Sequence, residues 1–450
     1  MNNTPSESYH ALLARHEAMR LRRNILAPAR DGARPRRTDP PQMYGGHDAP
    51  ADQSLIGASL GVVGPLEELI TGLYQVLFDR HPYLRSFFPE SMAFQQAHLA
   101  GAFRFLIGEL HRPEAVTGYF TQLGRDHRKL GVRPAHFAAF ESALVEALRA
   151  RAGARWSAAA EDAWLRMLGL AVSSMVRGEN EAVAELASWN ATVTSHELRA
   201  PGLAVLRVRP QQPYVFRAGH YASLETPLLE QAWRPYYLAR APHPDGELEF
   251  HVRARDTGGV GDALVHGTRS GDTVRIGAPR GMLPLPEGAQ PGELLLIASG
   301  TGWAPMKALL QQLAALPVAA PRVRLLLETG ARSGDARAAE DFYDRAWLET
   351  FRRRCPWLTV MPADAAGWTA GAPLRALGGV LPARPGAAEH LRVLMALEAG
   401  RPGDEASGAE GVRTVVAALT AAGVPTERVH RDGPGIAETG KMSGSWSSPV

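Results

Sequence analysis

The chain reads as a multidomain protein with an all-α half, a small antiparallel β-barrel and an α/β domain built on a parallel sheet, in that order. Three observations carry this. Apolar residues recur every three or four positions from about 53 to 189, and the period drops toward two between about 195 and 288. After about 290, short apolar strands alternate with helical stretches, and a glycine turn follows the first of them. A chain of 450 residues has room for several cores. Its net charge of +3 and 21% charged residues are near the globular average, so no strong field toward nucleic acid or membrane follows. Cys355 is the only cysteine, which excludes an internal disulfide and a cysteine-held cluster and suits a reducing cytoplasm. No window approaches about 18 uninterrupted apolar residues, and the start lacks a basic segment followed by an apolar one. Neither a membrane span nor export is expected.

Residues 1–52 form a basic arm, with Arg15, Arg20, Arg22, Arg23, Arg30, Arg34, Arg36 and Arg37 amid Pro, Gly and Asp. Past one helix over about 8–24 it reads as a disordered, solvated tail. In the helical half, Val116, Phe120, Leu123, His127 and Leu130 fall at steps of four and three, which puts His127 on a buried stripe. Gln95, Leu99, Ala102 and Leu106 share the face of an earlier helix, and Tyr74 points inward with Ile70 and Leu77. One polar group on each of three apolar faces describes a shared pocket. Taken alone, His127 would equally serve as a satisfied core histidine.

The barrel strands are read at Leu203 to Val208, His220 to Leu224, Pro235 to Ala239, Leu248 to Val252 and Thr273 to Ile276. Tyr221 and Arg234-Pro235-Tyr236-Tyr237 fall on neighbouring strands, so aromatic faces and a guanidinium meet at one edge. Tyrosine stacks on a flat ring such as an isoalloxazine, and the guanidinium fork pairs with phosphate. Each tyrosine singly would also be an ordinary strand residue. Gly258-Gly259 opens a second turn whose N–H groups suit a pyrophosphate. The α/β domain spans 290–436, with strands at Leu294 to Ala298, Val323 to Leu327, Leu358 to Met361 and Arg392 to Leu397 and helices over 305–315, 337–353 and 410–422. Between its first strand and a helix beginning near Pro305 lies Gly300-Thr301-Gly302-Trp303-Ala304-Pro305. Glycines there let backbone approach a diphosphate at the positive end of the helix. By itself the same turn is also a plain αβ connection. The tail 437–450 is expected to be unstructured.

Arg234-Pro235-Tyr236, Gly300 to Pro305 and Gly330-Ala331-Arg332 resemble, in order and separation, the Arg-x-Tyr-Ser, Gly-x-Gly-x-Ala/Thr-Pro and Gly-x-Arg motifs of the ferredoxin-reductase-like flavoenzymes. That resemblance covers about 195 to 435. It implies FAD on Tyr221, Arg234, Pro235, Tyr236, Tyr237, Gly258 and Gly259, and a nicotinamide nucleotide, NAD(P)H, on Gly300, Thr301, Gly302, Trp303, Ala304, Pro305 and Arg332. The helix Tyr74 to Phe78, the corner His81 to Phe88, Gln95 with Leu99, and Asp126-His127 resemble the globin domain of the flavohaemoglobins, which is fused to such a reductase. The resemblance then runs over about 55 to 435. It implies an all-α globin holding haem b with His127 as the iron ligand, Phe88 against the haem, and Tyr74, Gln95 and Leu99 as the distal, catalytic side. Gln96 fits less well, since only Gln95 keeps the four-residue step to Leu99. The implied partners are dioxygen and nitric oxide, with no nucleic acid, and the implied reaction is oxidation of nitric oxide to nitrate.

The chain also departs from the pattern. Phe137 stands where the family has a tyrosine supporting the proximal histidine, and Ala159 is read at the place of the supporting glutamate. Such partners are worth about 10- to 100-fold in site function. Tyr237 replaces the serine of the flavin motif, and Gly261 or Asp262 replaces a serine after the Gly-Gly turn. No Cys-Gly-Pro follows the late strand, where Met395 to Gly400 stand, and no aromatic residue closes the chain near Val429 to Pro434. These departures leave two rivals: a haem and flavin oxidoreductase with another reductant or acceptor, and a gas-sensing globin with a degenerate reductase. The choice between NADH and NADPH stays open at Arg332.

Overall fold

The computed structural model describes residues 48–255, 257–281, 283, 285, 293–316, 321–328, 342–363, 391–397 and 405–431. The arm, the tail, Gly330-Ala331-Arg332 and the segment after Leu397 lie outside them. The chain divides into two compact units at Ser188/Trp189.

The first unit is all-α: α1 Ala49–Val63, α2 Leu66–Arg80, α3 Ala93–Glu109, α4 Pro113–His127, α5 Pro134–Ala152 and α6 Ala158–Glu181, with a 3₁₀ turn Pro82–Phe87 between α2 and α3. The stripes read from spacing face one core, where Ile70, Leu77, Leu106 and Val116 are at most 2% exposed. Side chains cap helix starts: Asp48 accepts from Ala51 N–H in α1, and Ser157 accepts from Ala160 N–H in α6. At the crossing of α4 and α6 there is no room for a side chain. A Cβ on Gly124 would lie 2.0 Å from the Met175 carbonyl oxygen, and one on Gly178 would lie 1.9 Å from that of Thr121. Two glycines thus let these backbones touch, and that close approach fixes α4, the helix carrying His127.

The second unit opens with a six-stranded antiparallel sheet, β1 Ser188–Ala200, β2 Leu203–Pro210, β3 Tyr221–Glu225, β4 Arg234–Tyr237, β5 Leu248–Arg253 and β6 Thr273–Gly277, in the order β4-β3-β6-β1-β2-β5. A bridge between Leu238 and Phe250 joins the two edges and closes the barrel. β1 begins earlier than the period change at about 195 indicates. On β5, Leu248, Phe250 and Val252 fill the interior, yet the alternate residues Glu249 and His251 are also buried, each 2% exposed. A one-sided strand pattern would have left those two in water.

The remaining sheet is parallel, with β7 Glu293–Ala298, β8 Arg322–Glu328, β9 Leu358–Ala363, β10 Arg392–Ala396 and β11 Val429–Arg431 in the order β11-β10-β7-β8-β9. Around it run α7 Trp303–Ala315, α8 Arg345–Arg354 and α9 Glu405–Ala421. β7 has β8 on one side and β10 on the other, so strand order reverses at its carboxyl end. That crevice is where open α/β sheets take ligands. Among the described residues no single helix is long and apolar enough to cross a membrane.

Candidate functional site

In the helical unit, Tyr74 and Phe88 meet with ring centroids 5.5 Å apart, and Phe78 completes a triangle at 5.8 Å from Tyr74 and 5.3 Å from Phe88. The corner that presents Phe88 is held from below by Arg85. Its guanidinium donates to the carbonyls of Phe88 at 3.1 Å, Pro89 at 2.7 Å and Glu90 at 2.8 Å. Burial pushes the Tyr74 phenol far above its ordinary value, so it is neutral and able to donate. On α3, Gln95 keeps Oε1 buried with no hydrogen-bond partner, an orphan that a structure ordinarily avoids. One turn on, Leu99 packs against the core.

His127 ends α4 on the same stripe as Val116 and Phe120. Its Nδ1 lies 2.9 Å from the Leu123 carbonyl oxygen. That oxygen can only accept, so Nδ1 carries the proton and Nε2 keeps its lone pair. Burial lowers the pKa of His127, against the opposing pull of the Leu123 carbonyl and Asp126. The ring is therefore a neutral imidazole, the form that ligates a metal. Among the described residues no three His, Cys, Asp or Glu side chains gather to hold an ion. A haem iron taking one protein ligand from His127 fits this donor set.

The support for His127 is a backbone carbonyl. Phe137 adds an apolar ring to the core. Ala159 does not stand at a glutamate's position: it is exposed in the first turn of α6, at the far end from the crossing with α4. The carboxylate beside that crossing is Glu179, next to Gly178, with its pKa raised by burial and pulled down by Arg128. Glu179 directly follows the crossing glycine, which the helical period alone did not mark.

On the barrel, β3 and β4 pair Tyr221 with Tyr237 and Leu224 with Arg234. Tyr221 and Tyr237 meet edge to face at 6.1 Å. Tyr237 is 7% exposed and belongs to the core shared with Trp303 and Leu283, so it packs where the flavin motif would put a hydroxyl. Burial raises the Tyr236 phenol, and the guanidinium groups of Arg234 and Arg255 pull it back. Arg234, whose guanidinium also donates to the Trp233 carbonyl at 2.9 Å, stands on the same strand as Tyr236, a pairing of cation and ring suited to a phosphate-bearing aromatic.

The second turn differs from expectation. The Gly258 N–H donates to Asp262 Oδ2 at 2.9 Å, so the amide expected to hold a phosphate is capped by the chain's own carboxylate. Gly259 precedes a helical turn of only three residues, Val260–Asp262. An anion here competes with Asp262. Asp262→Ser is expected to tighten FAD binding about five- to tenfold, the effect of removing about 1 kcal/mol of charge opposition, and flavin fluorescence titration of the deflavinated protein measures it.

At the carboxyl end of β7 the turn is a 3₁₀ helix, Gly300–Gly302, and α7 starts at Trp303, two residues earlier than Pro305. Gly300 has a φ of +50°, the left-handed region that favours glycine. Gly302 is small for another reason than ligand approach: a Cβ there would lie 2.0 Å from the Ala396 carbonyl oxygen at the end of β10. Trp303, Ala304 and Pro305 are buried, and Trp303 Nε1 donates to Asp344 at 2.9 Å. Their side chains build core, and the Trp303 N–H closes the turn onto the Gly300 and Thr301 carbonyls. Arg332 lies outside the described residues.

Two family models match: the globin family over residues 71–175 and the oxidoreductase FAD-binding domain over 190–284. A flavohemoprotein of Chromobacterium violaceum is 27% identical over 289 residues, 58% of this chain and 70% of that protein. The reductase component of a naphthalene 1,2-dioxygenase system from Pseudomonas putida is 31% identical over 176 residues, 39% of this chain, which spans half of that protein's length. The crystal structure of a flavohemoglobin from Malassezia yamatoensis with bound FAD and heme superposes with a TM-score of 0.63 at 16% identity, covering 85% of this chain and 98% of that one.

Proposed function

This chain belongs to the flavohaemoglobin family, a globin joined to an FAD-binding oxidoreductase, and from that premise we propose that it oxidises nitric oxide to nitrate with dioxygen and NAD(P)H. The observation that carries the reading is the presence in one chain of a His127 ring held through Nδ1 by the Leu123 carbonyl and of a barrel edge where Tyr221 meets Tyr237 on the strand that carries Arg234. When bound, haem supplies an iron that takes dioxygen, and FAD divides the two electrons of NAD(P)H into single ones. The protein's part is to hold and orient. His127 would offer Nε2 to the iron while Leu123 fixes the ring through Nδ1, Phe88 would pack against the macrocycle, and the Tyr74 hydroxyl and the Gln95 amide N–H would be the donors on the ligand side. Two nitric oxide and two dioxygen molecules become two nitrate ions while one NAD(P)H becomes NAD(P)⁺ and a proton. The fusion in one chain answers that stoichiometry.

One observation favours a second reading. Phe137 has no hydroxyl, and the His127 Nδ1 proton goes to the Leu123 carbonyl, so the imidazole would donate less charge and an iron held there would sit at a higher potential. A haem and flavin oxidoreductase with a different acceptor suits that shell. The two separate when the holoprotein in air is given NADH or NADPH and nitric oxide. The dioxygenase reading expects nucleotide-dependent nitric oxide consumption with nitrate formed in equal amount. Reduction of the haem with negligible consumption would favour the second reading.

A further inference from the structure

The acids and bases of the reductase half are not all at its cofactor edges. Glu249 and His251 stand on the outer face of β5, and opposite them are Lys307, one turn into α7, and the pair Tyr343-Asp344 ahead of α8. Glu249, His251, Lys307 and Asp344 are each at most 3% exposed. Lys307 Nζ lies 2.8 Å from Glu249 Oε1 and 2.8 Å from Asp344 Oδ2. His251 Nε2 lies 3.1 Å from Glu249 Oε1, and its Nδ1 lies 2.8 Å from the Tyr343 hydroxyl. Burial keeps His251 neutral in spite of the Glu249 contact, so it has one N–H to give. Nε2–H donates to the carboxylate and the Tyr343 hydroxyl donates to Nδ1. Burial alone would raise the Glu249 carboxyl, but His251 and Lys307 outweigh it and hold the group ionised.

Lone charges in such a place would be prohibitive, and a buried pair is tolerated only when every donor and acceptor is met in good geometry. Here Glu249 Oε2 also accepts from Arg207 Nε on β2 at 2.9 Å, so both carboxylate oxygens have partners. Two of the network's links cross from barrel to α/β domain, Glu249 to Lys307 and His251 to Tyr343. A third runs on from Lys307 through Asp344 to Trp303 Nε1 at 2.9 Å, and Trp303 follows directly on the Gly300–Gly302 turn. An unbroken series of contacts therefore joins a barrel strand to the turn at the sheet's switch point.

We propose that Glu249 and Lys307 are positioning residues of the reductase half, whose buried ion pair sets the register of the Gly300–Gly302 turn against the barrel and so the angle at which a nicotinamide ring is presented to the flavin. The inference rests on the reductase reading above. It gives a hydrophilic core a task that hydrophobic packing does poorly, because a charged pair specifies one geometry where apolar surfaces slide.

The test uses the full-length holoprotein with FAD bound, mixed anaerobically with NADH or NADPH. Glu249→Gln leaves Lys307 paired with Asp344 and takes the charge out of both Glu249 ion pairs, the crossing one to Lys307 and the one within the barrel to Arg207. It is expected to keep its FAD content and its apparent nucleotide affinity within about threefold while the limiting rate of flavin reduction falls about tenfold or more, the scale of a small misalignment of reacting groups. The long-wavelength charge-transfer absorbance of the nucleotide stacked on flavin should weaken in parallel. Tyr343→Phe, which removes the second crossing link without touching charge, should lower the rate about threefold, and it decides the matter if Glu249→Gln does not fold. Flavin reduction at the wild-type rate in a folded variant would overturn the proposal, as would loss of rate only in proportion to loss of FAD. A wild-type protein that holds FAD yet is reduced by neither nucleotide would overturn the reductase reading itself, and this inference with it.

Discussion

Replacing His127 with Ala is expected to abolish haem binding, leaving less than about a tenth of the wild-type Soret absorbance per protein. His127 is placed by a stripe that includes Val116 and Phe120 at 0% and 5% exposure, and its ring is oriented by a 2.9 Å bond from Nδ1 to the Leu123 carbonyl. The helix should survive, since Ala is a better helix former than His and His127 is the last residue of α4. Circular dichroism should therefore remain helical and FAD content unchanged. A normal haem spectrum in the variant would show the assignment to be wrong.

The second large effect is expected at Gly302, for a reason unrelated to glycine's freedom at positive φ. Its φ is −61°, which any residue adopts. The obstacle is a Cβ placed 2.0 Å from the oxygen and 2.7 Å from the carbon of the Ala396 carbonyl. Both atoms are backbone, at the end of a strand paired with β7 on one side and β11 on the other. Nothing flexible is there to give way, so Gly302→Ala must move the turn or the strand end, at about 3 kcal/mol or more. Thermal unfolding followed by tryptophan fluorescence should show the loss, and NAD(P)H turnover should fall with it. An alanine variant with an unchanged unfolding temperature would contradict the packing described for this turn.

Much of the architecture was legible because the periods of helix and strand are read directly from apolar residues: α4 from Val116 to His127, α2 from Ile70 to Leu77, and the strands on either side of the glycine turn. Tyr74 stood out as a polar-tipped aromatic residue on the buried face of Ile70 and Leu77, whereas Phe88 was marked only by the family resemblance of its corner. What escaped depends on contacts between elements, which no single-element period encodes. Gly124 and Gly178 look like weak helix residues until α4 and α6 are laid across each other. Glu249 and His251 occupy the polar half of an alternating strand and read as solvent-facing, yet the α/β domain covers them. Asp262 was visible as an acid in a phosphate turn, but its bond to the Gly258 amide needs the turn's geometry. Trp303 sat inside a cofactor motif and proved to be core.

The central claim is that electrons from a nicotinamide nucleotide reach the haem through the flavin of the same chain. Anaerobic stopped-flow mixing of the purified holoprotein with NADH or NADPH, recorded across the visible spectrum, addresses it directly. Bleaching of the flavin near 450 nm, on the order of the usual oxidised-flavin band, followed by the shift of ferric to ferrous haem, is the predicted result. A bleached flavin beside a haem that stays ferric would contradict it.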